Sequence, residues 1–121
     1  MRRFDPANKY RGLPCSYVTA CCAYESFHCD NRVPVMPDKL KQNGYLTLND
    51  ANKYFRSIAP IRKRTIFKKG ERPRLEDFLA SNTQKCCVCV TGHFVYADAD
   101  TYWSFFNNDN DEVINVWYIQ S

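Results

Sequence analysis

Residues 15–28 read Cys15-Ser16-Tyr17-Val18-Thr19-Ala20-Cys21-Cys22-Ala23-Tyr24-Glu25-Ser26-Phe27-His28, and the rest of the chain is understood by what this stretch must pack against. Apolar groups fall on every face, with neither Gly nor Pro to interrupt them, so the segment reads as a helix buried on most sides rather than an amphipathic surface helix. Pro14 is tolerated in a first helical turn and Gly12 permits a sharp approach to it. After the helix, Pro34 and Pro37 block regular pairing and make Asp30 to Pro37 a loop.

Further along, Asp38 to Asn43 forms a short helical turn stopped by Gly44. Thr47 caps a second helix from Leu48 to Ser57, with Asp50 three positions on, and Leu48, Ala51, Tyr54 and Phe55 recur at helical spacing as its buried face. Pro60 ends it. Ile61 to Lys68 alternates as an exposed strand, Lys69 to Pro73 turns, and Leu75 to Ala80 is a short helix. Strands follow at Lys85 to Thr91, His93 to Asp98, Tyr102 to Phe106 and Val113 to Ile119. The last, rich in Val, Ile, Trp and Tyr, belongs in the middle of the sheet or under good cover. Helices first and an antiparallel sheet last is an α+β arrangement, with the buried helix lying on the sheet. The reading is one domain over 1–121, without repeat, linker or low-complexity segment.

Composition narrows the function. A chain of 121 residues can bury one modest core without staples, and its apolar content of 45% has no run near the roughly 20 residues that span a bilayer. Met1-Arg2-Arg3-Phe4-Asp5-Pro6 carries charge but no apolar region or small-residue cleavage site, so a cytoplasm is the expected compartment. Seven cysteines suggest an extracellular disulfide framework at first sight. The pairs Cys21-Cys22 and Cys86-Cys87, however, sit inside apolar runs, where free cysteine behaves as a small hydrophobe, and reduced thiols are expected. Net charge is +4, with Lys53, Arg56, Arg62, Lys63, Arg64, Lys68, Lys69, Arg72 and Arg74 concentrated in one segment and an acidic stretch from Asp98 to Glu112. Runs of this kind are more often a solvated strand and turn than a nucleic-acid site, but Arg62 to Arg74 would suit an acidic partner. With only 4 glycines there is no phosphate loop.

Cys15 alone among the cysteines occupies a helix start, where unpaired N–H groups and the macrodipole favour a thiolate. One of the two histidines, His28, ends that helix, where its charge complements the dipole. The other, His93, follows Gly92 and begins a strand. If the next loop centres on Asp100, hairpin geometry puts Asn107 opposite His93 on one face. If the loop holds only Ala99 and Asp100, the register slips and Ser104 or Asn108 shares that face instead.

Taken in order, Leu13-Pro14-Cys15-Ser16-Tyr17, Gly92-His93-Phe94-Val95-Tyr96 and the aromatic stretch from Tyr102 to Asn107 resemble the papain-like cysteine peptidases, in particular the very small bacterial and bacteriophage versions of that fold. The resemblance spans nearly the whole chain. It implies a cysteine peptidase or amidase acting on a peptide, isopeptide or related amide, with Cys15 as nucleophile, His93 as general base and acid, and Asn107 holding the imidazole. It also implies a Cys15 thiolate paired with a His93 imidazolium at rest. The family often has a Gln about six residues before its nucleophile; Lys9 stands at that spacing here. Asn8 beside it takes the oxyanion role alongside the backbone N–H of Cys15. No cofactor is implied.

Two other classes fit parts of the sequence. The missing Gln, the small size and the charge asymmetry suit a binding or inhibitory module that keeps the fold without turnover, such as a phage effector acting on a host protein. Zinc would call on Cys86, Cys87, Cys89 and His93, or on Cys29 with His28, although only Cys86 to Cys89 has a favoured spacing.

Overall fold

The computed structural model describes residues 1–28 and 32–120. Its centre is a six-stranded sheet. In chain order the elements are β1 (Arg2–Phe4), a 3-10 turn (Asn8–Tyr10), α1 (Cys15–Glu25), α2 (Asp38–Asn43), α3 (Leu48–Ile58), β2 (Ile61–Ile66), α4 (Leu75–Ala80), β3 (Lys85–Val90), β4 (His93–Asp98), β5 (Thr101–Trp103) and β6 (Val113–Ile119). The strands lie in the order β1-β5-β4-β3-β6-β2. The α+β class and the helix-on-sheet arrangement expected from sequence are therefore present, and β6 is an interior strand. The sheet is not wholly antiparallel: β1 joins its edge in parallel, with Arg2 against Thr101 and Phe4 against Trp103.

Alternation along β3 sorts the core into two layers. Cys87 and Cys89 face α1 and α3, together with Tyr96 and Trp117, while Cys86, Val88 and Val90 face α4 with Val95, Ala97 and Tyr102. Leu75 and Leu79 of α4 close that second layer, so helices cover both sheet faces. In α1, Tyr17, Val18, Ala20, Cys21 and Ala23 are all buried, which accounts for apolar residues all round the helix. The Tyr17 hydroxyl donates to the Pro34 carbonyl at 2.8 Å and the Tyr54 hydroxyl to the Val35 carbonyl at 2.8 Å, tying the loop to both helices. The first part of the Asp30 to Pro37 loop, with Cys29, lies outside the described residues.

Local signals explain the helix ends. Gly44 takes φ 78° after α2, where a left-handed residue lets its N–H reach the Leu40 carbonyl. The Thr47 hydroxyl accepts from the Asp50 N–H at 3.2 Å, capping α3. Ala51, Tyr54 and Phe55 are buried, but Leu48 is 37% exposed, because it turns to the rim of a surface cavity rather than into the core. Cations of β2 lie over aromatic rings of its neighbour: Arg62 and Lys63 over Tyr118, Arg64 over Trp117. Among the described residues no helix is long and apolar enough to cross a membrane.

Candidate active site

Cys15 is the first residue of α1, behind Pro14, whose carbonyl accepts from the N–H groups of Tyr17 and Val18. The N–H groups of Cys15 and Ser16 thus have no partner within the helix and lie beside the Cys15 sulfur, as does the N–H of Phe94. Burial raises the Cys15 thiol above its ordinary value, and these three N–H groups work against the rise. The other described thiols lack such a set. Burial carries Cys21 to about 11 and Cys22, Cys86 and Cys89 to about 12, with Cys87 also well up. All six described cysteines are free.

His93 opens β4 and shares with Cys15 the lining of two adjacent cavities, of about 310 and 230 Å³. The sequence-distant thiol and imidazole are therefore brought to one place. The ring is half-buried against Phe106, edge to face at 5.6 Å, and burial lowers its pKa below the ordinary 6.5, with the Asp111 carboxylate pulling the other way. Among the described residues no hydrogen bond joins the Cys15 thiol to the ring. Both shifts run toward the neutral forms, against the direction of the expected thiolate–imidazolium pair; a helix start supplies N–H groups but does not offset burial.

Behind His93 runs a chain of hydrogen bonds whose direction can be deduced. Asn108 Nδ2 donates to Asp111 Oδ2 at 2.8 Å, so Oδ1 of the same amide faces the other way as an acceptor. The Ser104 hydroxyl donates to that oxygen at 2.6 Å. Its one proton is then used, and Ser104 Oγ accepts from the Phe106 N–H at 3.1 Å and from His93 Nε2 at 3.2 Å. The neutral ring is thereby held with its proton on Nε2 and a free lone pair on Nδ1, the form of imidazole that accepts a proton. Ser104 and Asn108 are buried, which gives each of these bonds weight.

Register decides why Ser104 rather than Asn107 meets the histidine. Asp98 pairs with Thr101, Ala97 with Tyr102 and Tyr96 with Trp103, so the loop is only Ala99 and Asp100. That turn holds Ala99 at φ 52° and shifts the pairing by one residue from the Asp100-centred hairpin. Asn107 is exposed, and its Oδ1 accepts from the Asp109 N–H at 2.9 Å. The chain leaves the sheet after Trp103, so the strand expected to reach Phe106 stops short. Ser104 is then held by β1: its N–H donates to the Phe4 carbonyl at 3.1 Å and its carbonyl accepts from Arg3 Nη1 at 3.0 Å. Asn8 is exposed, its Oδ1 accepting from Arg11 Nε at 3.1 Å, and it lines neither cavity.

No family model, curated protein or solved structure matches this chain. Asp111 is the residue that sequence reasoning missed: it lies within the acidic stretch, but only the folded chain shows that it ends a relay from His93. Among the described residues no group of three or more His, Cys, Asp or Glu side chains is arranged to hold a metal ion. Cys86 faces the opposite side of the sheet from Cys87 and Cys89, and Cys29 is outside the described residues. His28 stacks on Tyr24 with ring centroids 4.0 Å apart.

Proposed function

We propose that this protein is a papain-like thiol hydrolase, a cysteine peptidase or amidase acting on a peptide, isopeptide or related amide in a cytoplasm. The observation that carries this reading is the common lining of two cavities by Cys15 and His93, with a directed hydrogen-bond chain behind the imidazole. Ser104 and Asn108 take the part first assigned to Asn107. The six described cysteines, all free, support a reducing compartment.

The chemistry starts from neutral partners. As the Cys15 sulfur attacks the substrate carbonyl, His93 Nδ1 takes the thiol proton, and a C–S bond forms while the carbonyl becomes an oxyanion. The free N–H of Cys15 at the helix start meets that oxygen; one such donor is typically worth about 3 kcal/mol. The intermediate collapses to a thioester, and the amine leaves with the proton from His93. Water, deprotonated by the same ring, then attacks the thioester and releases the acid, and Cys15 recovers its proton. Ser104 keeps Nδ1 as the basic nitrogen throughout.

Dilute iodoacetamide followed by peptide mapping is expected to label Cys15 ahead of the other cysteines, with His93→Ala slowing that labelling at neutral pH. Labelling that favours another cysteine, or that ignores the His93 change, would remove the reading. A second expectation concerns pH. Because burial lowers His93, the acid limb of kcat/KM should lie below 6.5. Asp111→Asn keeps an acceptor oxygen for Asn108 but deletes the charge that holds the ring's pKa up, so the limb should move to still lower pH. A limb that stays in place in the variant would exclude Asp111 from the relay.

A second reading has one observation in its favour: the Cys15 and His93 shifts both run toward neutral forms, as a scaffold without turnover would tolerate. Such a module would bind an acidic partner through Arg62 to Arg74. Biological activity that survives Cys15→Ala identifies it.

A further inference from the structure

Two cavities, rather than one, meet at the reactive pair. Among the described residues they have Cys15, His93 and Phe94 in common and no other, so the thiol and imidazole form the boundary between them. The larger, about 310 Å³, continues to Tyr45, Leu46, Leu48, Val90 and Ile114. The smaller, about 230 Å³, continues to Leu13, Val18, Trp103, Phe105 and Phe106.

Their chemistry is unusual for this chain. A quarter of its residues are charged, yet among the described residues no Asp, Glu, Lys or Arg lines either cavity. Of the nine large apolar side chains that the described residues leave exposed, four border these two cavities: Leu13, Tyr45, Leu48 and Phe106. Apolar groups left in water around a concave, mostly apolar site mark a place where a ligand completes the burial. A charged group entering either cavity would lose its hydration with no counter-charge among the described lining residues to meet it.

Resting on the thiol-hydrolase reading, we infer that the substrate is an extended polypeptide segment that crosses Cys15 and sets an uncharged apolar side chain in each cavity, one on either side of the amide that is cut. Cleavage is then internal to a chain. An N-acyl amine with a small leaving group fills only one cavity and leaves the other idle, and a substrate carrying Glu or Lys next to the cut is refused. The number of cavities sets the requirement for chain on both sides, and their uncharged lining sets the residue type.

Internally quenched peptides test this, in a set that differs only in the residues flanking the cut: apolar on both sides, charged on one side or the other, and charged on both. A small activated acetate ester, which carries no side group, is assayed beside them to report on Cys15 chemistry alone. The doubly apolar peptide should exceed every peptide with a charged flank by about tenfold or more in kcat/KM. Tyr45→Lys, at an exposed position where folding is not at stake, should narrow that ratio for peptides with Glu on the side that enters the larger cavity and not for those with Lys. Ester turnover without a preference among the peptides, or with equal cleavage of a one-sided N-acyl amide, overturns the inference and leaves the hydrolase reading standing. If neither ester nor peptide is turned over, both fall together.

Discussion

His93→Ala should lower the rate of acyl transfer from a good substrate by about 10²–10⁴-fold at neutral pH, and Cys15→Ala should abolish it. The size follows from the protonation state of the site. Burial raises the Cys15 thiol and lowers the His93 ring, so in the proposed hydrolase the proton leaves the sulfur as the C–S bond forms. Without an imidazole, the only route is the small fraction of thiolate that solution supplies. The variant's remaining rate should therefore climb with pH through the ordinary thiol range, whereas the parent's rate levels off once His93 is neutral. Small imidazole added to the buffer should recover part of the loss, because the space left beside Cys15 opens into two cavities. A variant that keeps the parent's rate and pH profile would show that His93 is not the base.

Ser104→Ala should act differently, since it takes away the acceptor that holds the Nε2 proton and leaves the ring itself in place. The parts of this arrangement that could be read in the linear chain are those carried by strong local signals. Thr47 with Asp50 announces the start of α3, Gly44 the end of α2, and period-two alternation places Cys87 and Cys89 on one face of β3. Cys15 and His93 were legible for a related reason: a cysteine at a helix start and a histidine at a strand start are positions that local pattern defines. Their partner was legible only as the alternative, Ser104 or Asn108 in place of Asn107, because the hairpin loop is Ala99-Asp100, without the Asn-Gly or Gly that usually announces a two-residue turn, and Ala99 is held at positive φ by the pairing of its neighbours. One residue of loop length separates Asn107 from Ser104 as the group beside the imidazole. β1 was silent for another reason: three residues, two of them Arg, carry no strand pattern, and their place depends on a parallel contact with β5 almost a hundred positions away. The opposite shifts of Cys15 and His93 were equally invisible, since burial of a charge is a property of the assembled core and not of a motif.

Trp117→Ala is expected to cost about 3–5 kcal/mol of stability, the largest loss from a single change in the core. The indole is fully buried in β6, opposite Cys87 on one side and Arg64 on the other. It meets Phe55 of α3 edge to face at 5.0 Å and 67°, stacks with Phe94 of β4 at 6.3 Å and 29°, and donates from Nε1 to Asn52 Oδ1 at 2.9 Å. Helix, central strand and site-bearing strand are thus joined through one ring. Asn52 Oδ1 also accepts from Arg56 Nε at 3.0 Å, so the lost bond leaves no orphaned acceptor and the cost is chiefly the cavity. Against a typical domain stability of 5–15 kcal/mol this is a large fraction, and the thermal midpoint should fall on the order of 10–20 °C. Trp117→Phe keeps the ring contact with Phe55 and forfeits the Nε1 bond, for a smaller loss of about 1 kcal/mol. Urea melts of the three proteins measure both differences. The site should feel the larger change as well: the backbone N–H of Phe94 lies beside the Cys15 sulfur, and with its ring unsupported that strand start loosens, lifting one of the three groups that oppose the rise of the thiol. Slower alkylation of Cys15 in the folded Trp117→Ala protein would tie the core to the chemistry. A midpoint within a few degrees of the parent would instead mean that the seam between α3 and the sheet is not what holds this fold.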